Sequence, residues 1–287
     1  MIGIVFKMRS PLHVRVVERL FVRAAERGMG LALGPITVER PTDVVVSQLM
    51  EERVEGLVAL NPDPQSRVLR EASNLVPLVW LGEWAHTPEV DNVYLDEVEG
   101  LRLAVEHLVN LGHRDIVYVG GLGGPAGKSR ADAFRNAMSM FGLAERTEVL
   151  ASDFSEEDAA NVARKIVLSS ERPTAVICCA DQCAVAVMEV FAQSGIRVPE
   201  EISVIGFDDS YLASLSYHSL TSVRQDVEAI VEATLEAVVG RIEGNEESHR
   251  VVSTPASLTV RNSTGPPRPP STGSATAPTK ERDVQKS

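Results

Sequence analysis

Short apolar runs alternate with stretches whose apolar residues recur at helical spacing almost from one end of this chain to the other. Residues 2–6 are followed by a helical pattern over 14–27, residues 30–33 by one over 43–53, and residues 56–60 by one over 66–74, before a run at 76–81. Runs too short for a helix between amphipathic stretches predict parallel strands joined by crossover helices, a doubly wound α/β arrangement. After residues 93–95, a helix is expected over 98–111, ending at Gly112, and the run at 115–119 opens a second series. That series continues with helices at 130–141 and 156–169 and a strand near Val149. It closes on a strand, helix and strand at 176–179, 183–193 and 202–207, with Gly195 stopping the helix. Two similar lobes fit this better than one sheet of ten or more strands.

The end of the chain reads differently: a strand at 220–223, a long helix at 226–243, and an extended segment at 250–260 interrupted by Pro255. If the long helix returns to the first lobe and the final strand to the second, the backbone crosses near Gly112, Gln225 and Thr254, a three-stranded hinge. The expected lobes are then residues 1–112 with 226–253, and 113–225 with 254–264. Residues 265–287, GPPRPPSTGSATAPTKERDVQKS, lack periodicity and are rich in proline and small polar residues, so they are expected to be disordered.

Charge narrows the function classes. Lys and Arg number 28 against 40 Asp and Glu, a net charge of -12, which opposes a nucleic-acid backbone rather than neutralising it. No apolar run approaches the ~20 residues of a membrane span, and the start lacks the features of a secretory leader, so a cytoplasmic protein with no membrane partner is expected. Cys178, Cys179 and Cys183 crowd one strand end without a nearby His to complete a metal shell. They read as buried reduced thiols, with a redox role for Cys183 at a helix start as the alternative.

In doubly wound folds ligands sit beyond the carboxyl ends of the strands, so Ala180-Asp181-Gln182 and Asp208-Asp209 are expected to face one crevice. GGLGGPAGKS at 120–129 invites a reading as a phosphate-binding loop, but the spacing fails. Gly121 to Gly127 encloses five residues and Gly123 to Gly127 three, where four are needed. A flexible loop facing the ligand is the better account.

Three segments, LGHRDIVYVGG (111–121), RVPEEISVIGFDD (197–209) and LTSVRQD (220–226), occur with the order and separations of the effector-sensing domain of LacI/GalR transcriptional regulators, which the chain resembles from residue 2 to about 264. The resemblance implies a two-lobed, periplasmic-binding-protein-like domain that closes on a small effector, often a sugar or sugar phosphate and sometimes a nucleobase. It also implies a homodimer with an interface on both lobes, no cofactor, and no catalysis.

Carried over residue by residue, the resemblance marks Arg130 as the pocket arginine, with Ala133-Phe134 in place of the usual Gly-Phe. Paired guanidinium donors suit vicinal hydroxyls or a carboxylate; the alternative is a surface ion pair at a helix start. Asp208 would accept from two sugar hydroxyls, with Asp209 capping the next helix. Phe154 stands where an aromatic stacks on the ligand, or it packs in the core. Gln225 would hydrogen-bond ligand from the hinge, or satisfy backbone there. Asp181 remains where the preceding family Asn is Ala180. On the first lobe, Ser10 and His13 lie in a loop that keeps only Pro11 of the usual Asn-Pro-aromatic. Trp84, near Trp80, Glu83 and His86, could supply a stacking wall or an interface residue. These departures leave open a phosphorylated or carboxylated effector, or an empty pocket.

The family's helix-turn-helix and hinge helix are not represented, because Met1 falls at the first strand. The chain is therefore expected not to bind operator DNA by itself, and to do so only with such a headpiece attached. Rival readings are an exported solute-binding protein of a sugar transport system, and a sugar or nucleotide hydrolase using Asp181, Asp208 and Asp209. The hydrolase lacks an identifiable nucleophile or metal partner.

Overall fold

The computed structural model of the chain describes residues 1–7, 11–82, 90–245 and 248–268. The first series of elements is β1 (Ile2–Lys7), α1 (Pro11–Glu26), β2 (Leu31–Ile36), α2 (Thr42–Glu51), β3 (Gly56–Leu60), α3 (Arg67–Ala72), β4 (Leu78–Leu81), β5 (Asp91–Leu95) and α4 (Glu97–Leu111). The second is β6 (Ile116–Gly121), α5 (Pro125–Met140), β7 (Glu148–Ser152), α6 (Glu156–Leu168), β8 (Ala175–Cys178), α7 (Asp181–Gln193), β9 (Ser203–Asp208), α8 (Tyr211–Ser214) and β10 (Thr221–Gln225). The chain closes with α9 (Val227–Ile242), β11 (Val251–Thr254) and β12 (Ala256–Thr259).

Among the described residues these form two six-stranded sheets, ordered β11-β5-β4-β3-β1-β2 and β12-β10-β9-β8-β6-β7. All pairings are parallel except β10 with β12. Strands of a parallel sheet are covered on both faces, which is why they read as continuous apolar runs. On β1, Ile2, Ile4 and Phe6 join Leu20 of α1 and Val231 and Leu235 of α9, whereas Val5 faces Val45 and Leu49 of α2. The alternation follows the period of two along a strand. Helix starts are set by local acceptors: Asp96 accepts from the backbone N–H of Glu99 at 3.0 Å, Ser155 from Asp158 at 3.3 Å, and Asp226 from Ala229 at 3.1 Å.

The first crossing between sheets differs from the expected one. Leu101, Ala104, Val105 and Leu108 of α4 belong to the buried cluster of the second sheet, with Ile116, Val119, Phe134 and Phe207. Gly100 approaches β10 and β12 so closely that a Cβ there would lie 2.9 Å from Val223 Cγ1 and 3.4 Å from Ala256 Cβ. The backbone therefore passes between sheets around Asp96, not at Gly112. Gly112 ends α4 in the left-handed region (φ +105°), a helix stop that sequence punctuation cannot distinguish from a lobe boundary. The other two passages lie where β10 gives way to α9, around Gln225, and where β11 gives way to β12, at Pro255.

Residues 265–268, read from sequence as the start of the tail, are held against the second lobe. The Gly265 carbonyl lies 2.8 Å from His113 Nε2, and the Arg268 guanidinium donates to the carbonyls of Arg172 and Glu201 at 2.6 and 2.8 Å. His113, buried and also 2.8 Å from Thr174 Oγ1, thus explains the His of LGHRD as an anchor for this segment. The rest of the expected tail, 269–287, lies outside the described residues.

Candidate functional site

A cavity of about 310 Å³ opens between the lobes at the carboxyl ends of the strands, within the range of small-molecule sites. Its first-lobe wall is Leu12, His13 and Val16 of α1, Leu60 and Asn61 at the end of β3, Leu81 and Gly82 at the end of β4, and Tyr94 to Asp96 at the end of β5. Glu97, Val98, Ser129, Arg130 and Gln225 supply the opposite side. The apolar floor with a few convergent polar groups suits a ligand with one apolar and one hydroxylated face.

Arg130 organises the polar side. It is 7% exposed; its Nε donates to Glu97 Oε1 at 2.6 Å, and its Nη1 donates to the Cys179 carbonyl at 2.6 Å and lies 3.7 Å from Asp208 Oδ1. The Phe207 ring lies under the guanidinium at 4.0 Å, and the Phe154 ring is 5.7 Å away. Burial opposes the charge, but Glu97 and Asp208 more than offset it, raising the Arg130 pKa above its usual value. Asp208 also accepts from Gln225 Nε2 at 2.7 Å. Burial pushes its carboxyl up to about 7, against the pull of Arg130. Arg130, Asp208, Gln225 and Phe154 are thus brought together, although only Arg130 and Gln225 line the cavity, with Asp208 directly behind them.

His13 lines the first-lobe wall from within α1 rather than from a loop, with Nε2 3.4 Å from Asn61 Nδ2. Burial, reinforced by the charges of Lys7 and Arg130, lowers its pKa to about 4, so the imidazole is neutral at physiological pH. Beside it Gly82 adopts φ +113°, and a Cβ there would lie 1.9 Å from Asn61 Oδ1, so glycine is what lets the two strand ends meet.

Asp181 and Asp209 turn elsewhere. Asp181 is fully buried: Oδ2 accepts from the backbone N–H of Ser210 at 2.6 Å and Oδ1 from Ser222 Oγ at 2.6 Å. Its carboxylate ties α7 to the start of α8 and to β10, and it does not line the cavity. Asp209, expected to cap the next helix, instead pairs with Arg261 at 2.7 Å and accepts from Thr259 Oγ1 at 3.0 Å. The backbone turns sharply here, with φ +106° at Asp208 and +47° at Asp209. Such strained non-glycine conformations cluster at functional sites. Ser10 and Trp84 lie outside the described residues, as do Glu83 and His86.

The expected loop at 120–129 is largely ordered structure. β6 runs to Gly121, and α5 begins at Pro125, the first-turn position proline favours. A Cβ at Gly127 would stand 1.8 Å from the Leu122 carbonyl oxygen, so that turn folds directly onto the helix start. Only residues 122–124 lie between the elements. The thiols are buried, with Cys179 Sγ 3.7 Å from Cys183 Sγ, and among the described residues no metal-ligand cluster is found. Glu97 and Asn61 were not anticipated from sequence, although Asn61 immediately follows β3 and Glu97 stands two residues past the end of β5, which was the available signal.

A family model described as a periplasmic binding protein-like domain matches residues 105–264. The HTH-type transcriptional repressor PurR of Photobacterium profundum is 30% identical over 272 residues, 91% of this chain and 79% of its own length. Several other curated relatives are spanned over only 65–66% of their length. Among solved structures, a LacI transcriptional regulator from a Rhodococcus species superposes with a TM-score of 0.89 at 31% identity, covering 93% of this chain and 100% of that one. The transcriptional regulator CelR–cellobiose complex superposes at 0.80 with 27% identity, covering 91% and 84%. With its two parallel α/β lobes, interlobe cavity and these relatives, the chain belongs to the LacI/GalR family and comprises that family's effector-binding domain.

Proposed function

We propose that the chain senses a small sugar or sugar derivative in the interlobe cavity and converts its binding into transcriptional regulation through rearrangement of a homodimer. The observation that carries this reading is the buried Arg130 at the cavity wall, held by Glu97, Asp208 and Phe207 with the hinge residue Gln225 beside it. Such an array orients hydroxyls, while Leu12, Val16, Leu60 and Leu81 cover an apolar ring face. The cellobiose held by a 27%-identical neighbour supports a carbohydrate. Three backbone passages between the sheets suit a hinge, and a ligand touching both lobes favours the closed arrangement by its differential affinity. Exposed Val14, Phe21 and Val22 on α1, and Tyr211 and Tyr217 on the second lobe, are apolar surface that a second copy would cover. Operator DNA becomes a partner where a helix-turn-helix headpiece is attached, and the setting is the cytoplasm. Consistent with that setting, no helix among the described residues is long and apolar enough to cross a membrane.

The test is a thermal-shift screen of the purified chain against cellobiose, ribose, other mono- and disaccharides, sugar phosphates and nucleobases. A ligand at a hundred times its Kd adds ~2.7 kcal/mol, which raises Tm by several degrees in a chain of this size. A saturable shift lost in Arg130→Gln is expected. A screen without any saturable shift, or a shift unchanged in that variant, refutes the reading.

A further inference from the structure

Among the described residues Arg130 is the only cation lining the cavity, and it is already engaged by fixed partners. Nε donates to Glu97 at 2.6 Å and Nη1 to the Cys179 carbonyl at 2.6 Å, with Asp208 3.7 Å from Nη1. Among the described residues Nη2 makes no hydrogen bond, so it is the one guanidinium nitrogen without a fixed acceptor. Recognition of a phosphate or carboxylate by arginine uses two parallel N–H groups as a fork, and here Glu97 engages Nε of one fork while the Cys179 carbonyl engages Nη1 of the other. One remaining nitrogen matches a hydroxyl oxygen.

The surrounding charge points the same way. Asp96 and Glu97 both line the cavity, Asp208 lies behind it, and His13 facing them is neutral. The side chains of Glu97 and Arg130 are 14% and 8% exposed, so solvent screens their pairing little. They also sit on α4 and α5, which pack together in the second lobe, so opening the cleft does not separate them. The pairing is therefore part of the wall, not a latch that an incoming anion finds released.

We propose that Glu97 is a specificity-determining residue: by occupying the oxyanion-binding edge of Arg130 and leaving the cavity wall with excess negative charge, it admits uncharged polyols and excludes their phosphorylated and carboxylated counterparts. This rests on the reading of the cavity as the effector site and narrows its ligand to neutral carbohydrates. Glu97→Gln removes the charge while its amide oxygen can still accept from Nε, and Glu97→Ser removes the acceptor as well; both lift the repulsion that an anion meets at the buried Arg130.

The experiment uses inorganic phosphate as probe, so it needs no knowledge of the effector. Phosphate binding to the full chain is measured by calorimetry and thermal shift at fixed ionic strength with chloride as control, for wild type, Arg130→Gln, Glu97→Gln, Glu97→Ser and Glu97→Gln/Arg130→Gln. Wild type is expected to show no saturable phosphate binding up to about 50 mM. Glu97→Gln is expected to bind at least about tenfold more tightly, a change of ~1.4 kcal/mol, and to lose that gain in the double variant. A folded Glu97→Gln and Glu97→Ser with no gain overturn the proposal, as does phosphate binding by wild type that Arg130→Gln abolishes. If neither Glu97 variant folds, wild type decides alone: saturable phosphate binding overturns the proposal, and its absence supports it. Glucose and glucose 6-phosphate, run alongside, separate the two readings. Phosphate gain in Glu97→Gln with no neutral sugar bound by wild type sinks the sensor reading alone, whereas a wild type that binds neutral and phosphorylated sugars equally sinks the assignment to Glu97 alone.

Discussion

Replacing Asp208 with Asn removes a carboxyl group whose charge the fold disfavours, and its effect has a pH dependence that can be worked out in advance. Burial raises the Asp208 pKa from 3.8 to about 7. The folded state therefore binds more protons than the unfolded state between those values, and stability falls as pH rises through that window. The contribution is fully present below the unfolded pKa and lost once pH passes the folded one. From pH 5 to the folded pKa spans two units, and at 1.36 kcal/mol per unit wild type loses ~3 kcal/mol that Asp208→Asn retains. With ~2–4 °C per kcal/mol for chains somewhat shorter than this, the Tm difference, variant minus wild type, grows by roughly 6–12 °C between pH 5 and 8. The variant amide keeps an acceptor for Gln225, and Arg130 keeps Glu97 and the Cys179 carbonyl. His13, lowered to about 4, acts in the opposite sense, losing stability as pH falls below its unfolded value near 6.5. Taking the difference between variant and wild type cancels it. Differential scanning calorimetry at half-unit intervals from pH 5 to 8 is the assay. A difference that is flat, or that shrinks as pH rises, refutes the reasoning.

Asp181→Ala leaves the buried Ser210 N–H and Ser222 hydroxyl without their 2.6 Å acceptor, so it should lower stability by ~2–4 kcal/mol in denaturant titration. Sugar affinity measured well below Tm should be unchanged, and a loss of affinity with intact stability would restore Asp181 to the ligand site. Gly127→Ala puts a Cβ 1.8 Å from the Leu122 carbonyl oxygen, so it should cost ~2 kcal/mol or more, seen as a lower Tm; a neutral effect would mean that the turn relaxes freely. Cys178, Cys179 and Cys183 are buried, and burial pushes the Cys178 thiol up. A colorimetric thiol reagent should titrate essentially none of them in the native chain and three after unfolding in guanidinium; fast labelling of any one contradicts the buried geometry.

Much of this molecule is visible in the alternation of its apolar runs, because a strand covered on both faces and an amphipathic crossover leave opposite signatures. What that alternation cannot convey is which sheet a helix covers. Gly112 reads as a lobe boundary, yet α4 packs through Leu101, Val105 and Leu108 onto the second sheet, a long-range contact with no local trace. The strand-end rule led to Asp208, and the family resemblance to Arg130 and Gln225, but the direction in which a strand-end carboxylate turns depends on partners distant in sequence. Asp181 turns inward because Ser210 and Ser222 are there to donate to it. The same rule applied to β3 and β5 would have reached Asn61 and Glu97. The glycines of residues 120–129 suggest a loop, whereas Pro125 and the tight approach of Gly127 to Leu122 show them serving a turn and a helix start.

The central claim is that one small molecule is held between the lobes by groups from both. Hydrogen exchange of the full chain, with and without the tightest sugar from the thermal-shift screen, tests it most directly. Slowed exchange is expected together at residues 12–16, 60–61 and 94–96 on one side, and at 97–98, 129–130 and 224–225 on the other. Protection confined to one lobe, or lying away from the cavity, would contradict the account.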